Sequence, residues 1–342
     1  MKKIIKIIFF ITLNFCLLFS QSAKAAEKIK IGLLVPMTGF NKDLGQSIIK
    51  AVRLAIKDID TDLIEIVPKD TASKANQTLK SAFELKEMGV KIVIGPIFHK
   101  SLTYLDEIKD LTFLSLTNKT LNIPENVIST GINSTSQLNA IKKFIEKDNI
   151  KKTIFLTPIR DYEFEIKAGI KNSKIKIFKN YDYNIEPTKL TKQIEEITNY
   201  KTRKQNLEDE IFRIKNSNES NKESKIKRLE QRYSLGGLNF DAIIIADFDE
   251  SLKSVSTSLI YTDVYPKNKY FITLNQWFDK SLLDDTDIQP LYYPSINKNN
   301  FDNYKRKFFD KFNEYPSHLS LLGYDLVGLV YYLSLKNNFS NS

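Results

Sequence analysis

Residues 30–59 read KIGLLVPMTGFNKDLGQSIIKAVRLAIKDI, and three signals within that stretch decide the fold. Residues 31–35 form a short apolar run between turn residues, the pattern of a strand buried on both faces. Pro36 ends it, and Thr38, Gly39, Asn41 and Asp43 make a polar loop. From Leu44 the period changes: Ile48, Val52, Leu54, Ala55 and Ile59 share one helical face. Strand, loop and helix open a βα unit, and open α/β sheets bind ligands in the loops that follow their strands. The loop holds neither G-x-G-x-x-G nor G-x-x-x-x-G-K-[ST], so no phosphate cradle is expected.

The same module recurs outward from this stretch. Apolar runs over 63–67, 90–94, 112–116 and 127–130 predict further strands. Helices are expected from Ala75 and, through Leu102, Leu105 and Ile108, after the third strand. Farther on, strands are expected over 153–157, 175–178, 241–246 and 269–274. Helices are expected over 137–147, 164–170 and, after the strand at 241–246, up to Ile260, with a return crossover at 292–294. Two helices, over 301–312 and 319–335, close the pattern. Alternation at this spacing argues for mostly parallel sheets with helices on both faces. The fold class is α/β, with two doubly wound lobes. The expected division is 26–133 with 296–342 as the N-terminal lobe and 134–295 as the C-terminal lobe.

Residues 1–25 read as a secretory signal. Lys2, Lys3 and Lys6 precede an apolar core, and Ala23-Lys24-Ala25 is an A-x-A cleavage site. Cys16, the single cysteine, follows Leu13-Asn14-Phe15, which lacks the small residues of a lipobox. Cleavage after Ala25 would remove it and exclude thiolate chemistry and disulfides. The expected location is the periplasm. The formal net charge is +10, of which the four lysines of the signal carry four. The basic balance follows a general richness in lysine, so no nucleic-acid partner is expected.

One segment, 188–236, fits no βα spacing. Leu190, Ile194, Ile197 and Tyr200, then Leu207, Ile211 and Ile214, recur at helical intervals. A turn at 216–221 follows, and Ile226, Leu229 and Tyr233 continue on a return helix. The segment predicts an antiparallel helical hairpin inserted in the second lobe. It holds twelve Lys/Arg against eight Asp/Glu. That charge suits a solvated hairpin laced by ion pairs, or an arm that docks a partner.

KIGLLVPMTG, DTASKANQTLKSA, VKIVIGPIF and YPSHLSLLGYDLVGLVYYL resemble the type I periplasmic solute-binding fold of the leucine/isoleucine/valine receptors. FLSLTNKTLN, VISTGINSTSQLNAI, LGGLNFDAIIIADFDESLKSV and LNQWFDKSLL are more similar to the penicillin-binding protein activator branch. In the amino-acid receptors, a hydroxyl-rich loop after the third strand grips the ligand carboxylate. Small residues and a threonine after the fourth strand grip the amino group. The resemblance puts Phe98, His99, Lys100 and Ser101 at the first position and Thr117, Asn118, Lys119 and Thr120 at the second. Lysine in place of a small hydroxyl opposes a ligand ammonium, which favours the activator branch.

Catalytic patterns are absent from the sequence. The two histidines, His99 and His318, belong to no HExxH or Cys/His cluster, and no G-x-S-x-G is present. No enzyme activity, metal or cofactor is expected. The resemblance implies a non-catalytic protein that regulates peptidoglycan synthesis through protein contacts, its partner a cell-wall synthase. The alternative is the solute receptor of an ABC importer, which closes on an amino acid or related small molecule and meets a permease. For a ligand cleft the candidates are Met37, Thr38, Asp70, Phe98, His99, Thr117 and Asn118 from the first lobe. Arg160, Tyr162, Asp247, Asn275 and Trp277 are the candidates from the second.

Overall fold

The computed structural model describes residues 28–277 and 279–337; the expected signal, with Cys16, lies outside the described residues. In chain order the elements are β1 (Ile29–Val35), α1 (Lys42–Ile59), β2 (Ile64–Asp70), α2 (Ala75–Glu87), β3 (Ile92–Ile94), β4 (Thr112–Ser115) and β5 (Val127–Ser129). There follow α3 (Ser134–Lys147), β6 (Thr153–Pro158), α4 (Glu163–Ser173), β7 (Lys179–Tyr183), α5 (Pro187–Ile197), α6 (Tyr200–Lys215) and α7 (Lys222–Leu229). The remainder is β8 (Ala242–Ile245), α8 (Asp249–Tyr261), β9 (Tyr270–Thr273), α9 (Lys280–Leu283), β10 (Leu291–Tyr292), α10 (Lys298–Phe312) and α11 (Ser320–Asn337). Among the described residues, no helix is long and apolar enough to cross a membrane.

The described residues divide into two compact units, 28–116 with 124–128 and 319–337, and 117–123 with 129–318. The sequence boundaries are therefore displaced. The expected division put 296–342 with the N-terminal lobe, whereas α10 groups with the second unit and α11 with the first. Helical periodicity marks both elements equally and carries no information on which sheet a helix joins.

The first sheet has the order β2-β1-β3-β4-β5, and β1 runs parallel to both β2 and β3. Its central strand is as apolar as the sequence suggests: Ile31, Leu33, Leu34 and Val35 are buried. Ile31, Leu33 and Val35 pack with Ile48, Val52 and Ala55 of α1 and with Leu326, Val327 and Val330 of α11. Gly45 makes the close approach of α1 possible. A Cβ at that position would fall 1.7 Å from the Pro36 carbonyl oxygen, an overlap no side chain can relieve. The helix expected at 102–108 is instead two 3₁₀ turns, His99–Leu102 and Leu105–Glu107. Leu102, Leu105 and Ile108 remain buried. Spacing by three suits a 3₁₀ turn as well as an α-helix.

The second sheet has the order β10-β9-β8-β6-β7, with every pair parallel. One face is covered by α5 and α8, through Leu190, Ile194, Leu252, Val255 and Leu259. The other is covered by α3 and α4, through Leu138, Ile141 and Ile166. Two strand assignments shift. The run at 175–178 is not a strand; Ile175 instead fills the core beside Phe155 and Ile166, and β7 follows it. That strand is a polar sheet edge with Lys179, Asn180 and Asp182 exposed, so it carries no apolar signature. At 291–292 stands a short edge strand, with Leu291 opposite Phe271 of β9, rather than a crossover.

The insertion also begins later than expected. Leu190 and Ile194 are almost fully buried against the sheet, so α5 is the ordinary helix between β7 and β8. Only α6, α7 and their return to Gly237 are supernumerary, and α7 buries none of its residues. The burial difference sets the expected costs. Leu190→Ala or Ile194→Ala should destabilise the protein by about 2–5 kcal/mol. Ile226→Ala on α7 should stay below about 1 kcal/mol. Chemical denaturation of the three variants checks this, and equal losses at all three would return α5 to the insertion.

Candidate functional site

The candidate residues gather at the carboxyl ends of the strands, each unit holding its own set. In the first unit Asp70, the last residue of β2, fastens two loops. Its Oδ1 accepts from the backbone N–H groups of Met37 (2.7 Å), Ala72 (2.8 Å) and Thr38 (3.3 Å). Its Oδ2 accepts from Thr38 Oγ1 at 2.6 Å. Burial alone would raise the pKa of this carboxyl. The bonds from Thr38, Ala72 and Met37 outweigh it and hold the group below the usual carboxylate range. The structure thus brings Met37, Thr38 and Asp70 together, as a knot that satisfies itself. Met37 and Phe98 both lean on the core formed by Ile97, Leu116 and the central strands. His99 opens the first 3₁₀ turn and is half-buried.

In the second unit Thr117 and Asn118 lie on the loop after β4. The Thr117 carbonyl accepts from Gly131 N (3.1 Å) and Ser129 Oγ (2.7 Å), while Asn118 is exposed. Thr120, on the same loop, is held by Glu165 of α4. Its N–H and Oγ1 donate to that carboxylate at 3.1 and 3.0 Å, and Leu121 N adds a third donor at 2.9 Å. The loop expected to meet a ligand amino group is pinned to an acid of its own chain.

The densest cluster surrounds Asp247, one residue beyond the Ala246 that follows β8. Its side chain is buried, yet both oxygens are satisfied. Tyr162 Oη donates to Oδ1 at 2.9 Å, the Phe248 N–H donates to the same oxygen at 2.9 Å, and Tyr183 Oη donates to Oδ2 at 2.6 Å. Burial, reinforced by the Asp247 charge, pushes both phenols well above the ordinary tyrosine range, so they persist as donors. Arg160, after β6, donates to Ser251 Oγ in the first turn of α8, while its Nε is buried without an acceptor among the described residues.

Asn275, after β9, shows the same mixture. Its N–H donates to Gln137 Oε1 (2.8 Å) and its Oδ1 accepts from Trp277 N (2.9 Å), but Nδ2 is buried and without a partner among the described residues. Trp277 has a left-handed backbone (φ 50°) and lies against the His318 ring, 4.7 Å between centroids. Its indole is thereby committed to a packing contact. Cavities of about 470 and 610 Å³ in this unit are lined by none of the candidates.

Sequence reasoning missed Tyr183, Glu165, Ser251 and Gln137. Tyr183 is hidden because the apolar run at 175–178 draws the expected strand ahead of the polar β7 that it ends. Glu165 bonds to a loop 45 residues away, and no local pattern announces such a pair.

A family model described as "Periplasmic binding protein" matches residues 28–202. The chain belongs to the periplasmic binding protein family. The match ends where α6 begins to leave the sheet. Among solved structures, it is similar to the C-domain of LpoA (YraM) from Haemophilus influenzae, a regulator of PBP1A. Identity is 16%, 89% of this chain and 86% of that one are covered, and the TM-score is 0.59. Full-length LpoA from the same organism matches at 16% identity and TM-score 0.60, with 89% of this chain covering 51% of that one. A branched-chain amino acid ABC transporter periplasmic ligand-binding protein from Burkholderia xenovorans LB400 matches at 13% identity and TM-score 0.58. There 88% of this chain and 76% of that one are covered. At these identities the likeness is one of fold. No curated protein sequence matches the chain.

The Asp247 network carries a measurable load. Tyr183→Phe removes one donor from a buried carboxylate and should cost about 1–3 kcal/mol in chemical denaturation. A change below about 0.5 kcal/mol would mean the carboxylate is not held as described.

Proposed function

We propose that this protein acts through protein contacts, as a non-catalytic regulator of a cell-wall synthase in the exported compartment. One observation carries the reading: Asp70 at the end of β2, Asp247 after β8 and Glu165 after β6 are already spent on their own chain. Both Asp247 oxygens accept from tyrosines, Asp70 binds four donors, and Glu165 holds the Thr120 loop. A receptor for a zwitterionic amino acid needs a carboxylate or carbonyl free to meet the ammonium group, and pulling one of these from its donors costs the desolvation of each. The fold shared with LpoA and the supernumerary hairpin support the same reading.

A second reading rests on a different observation. Arg160 Nε and Asn275 Nδ2 are buried donors without acceptors among the described residues. Buried donors favour a partner, and a solute with a carboxylate or carbonyl would supply one. The receptor reading therefore survives for acids without an ammonium group.

Calorimetric titration with leucine, isoleucine and valine should show no binding, and micromolar affinity for any of them would overturn the regulator reading. In a reconstituted assay with a purified bifunctional peptidoglycan synthase, the protein should raise the rate of glycan polymerisation or crosslinking. An unchanged rate, together with a melting-point rise on a small carboxylate, would transfer the assignment to the receptor.

A further inference from the structure

The hairpin of α6 and α7 leaves the sheet at Asn199, and its base is fixed. Arg203 is buried, and its guanidinium makes four contacts there. Nη1 donates to the Thr262 carbonyl (3.0 Å); Nη2 donates to Ser234 Oγ (2.6 Å), the Asp263 carbonyl (3.3 Å) and Asp263 Oδ2 (3.4 Å). Ser234 Oγ in turn donates to the same Asp263 carboxylate, and Leu235 N donates to the Arg203 carbonyl at 2.8 Å. Both limbs are thereby tied to the end of α8. Burial lowers the Arg203 pKa, which the Asp263 charge opposes.

Beyond the base, the two limbs differ in how they use charge. On the α6 side Glu210 receives Arg213 Nε at 2.8 Å, and Glu219 in the turn receives Arg213 and Lys225. The return limb, residues 222–232, carries five basic residues against Glu223 and Glu230. Lys222, Lys227, Arg228 and Arg232 are exposed and make no ion pair among the described residues. Tyr233, next to Arg232 in the chain, is 67% exposed, and Phe212 of α6 is 69% exposed. Arg232 and Tyr233 also line an open hollow of about 610 Å³ at the hairpin base, shared with Lys269 and Tyr265.

We propose that the return limb of this hairpin docks an acidic protein surface, Lys222, Lys227, Arg228 and Arg232 supplying charge and Tyr233, next to Arg232, the apolar anchor. The inference rests on the contact-protein reading and names the chemistry of the contact. Surplus cations at an exposed helix steer an oppositely charged partner and set the salt dependence of encounter. Arginine beside exposed aromatics is the composition of protein interfaces. A lipid surface fits less well, because insertion needs a continuous apolar face. On α7 the apolar side chains, Ile226 and Leu229, are half-buried rather than presented. Rigid attachment through Arg203 lowers the entropy lost on docking.

A fluorescent polyglutamate peptide serves as the probe, so the test does not depend on the synthase assay. The intact protein should bind it with an affinity that falls as salt rises. The charge reversal Lys222→Glu, Lys227→Glu, Arg228→Glu, Arg232→Glu should weaken binding about tenfold or more. A control reversing four exposed lysines of the second unit and the first, Lys109, Lys147, Lys151 and Lys171, should change it by less than about twofold. Circular dichroism confirms that each variant is folded. Equal losses in the two sets, no binding of the peptide, or capture of vesicles of phosphatidylglycerol and phosphatidylethanolamine in preference to it would each overturn the proposal. If the synthase responds equally to the intact and the charge-reversed protein, the docking face fails while the regulator reading stands.

Discussion

A strand covered by helices on both faces has only its ends left for chemistry, and this constraint governs both units. The middles of β1, β6 and β8 carry apolar side chains because any polar group there would have to find a partner inside the sheet sandwich. Polar residues therefore collect just past the carboxyl ends, where backbone N–H groups and neighbouring hydroxyls are within reach. Asp70 and Asp247 stand at such places. Each has its side-chain oxygens satisfied by donors that its own chain supplies. The same residues that look like a binding site in a linear reading are, in three dimensions, the fasteners that hold the loops.

The parts of the fold that rest on solvent exclusion were legible in the sequence. Apolar runs gave β1, β6, β8 and β9 to within a few residues, and the face containing Ile48 and Val52 gave α1. The parts exposed at an edge were not. A strand such as β7, with three exposed polar residues, is indistinguishable from a loop until its partner β6 is known. The insertion was similarly overdrawn at its start, because Leu190 and Ile194 repeat with the same period whether they face a sheet or another helix.

For the candidate site, legibility stopped at the strand ends. Position after a strand picked out Asp70, Thr38, Tyr162 and Asp247, and these do meet one another within their units. Position could not reveal that their hydrogen-bonding capacity was filled, because that depends on residues distant in sequence, such as Tyr183, 64 positions before Asp247. Nor could it distinguish Trp277 packed against the His318 ring from a tryptophan waiting for a ligand.

The two edges of the second sheet have an implication for how the molecule behaves among its own copies. An open sheet invites other chains to continue it, and the danger grows with the length and apolarity of the edge. One border here is β10, only two residues long, which offers too few backbone groups to template a stable pairing. The other is β7, which projects Lys179 and Asp182 into solvent, so that a copy arriving in register would set like charges side by side in a parallel pairing. Both borders of this sheet thus resist continuation by a second copy.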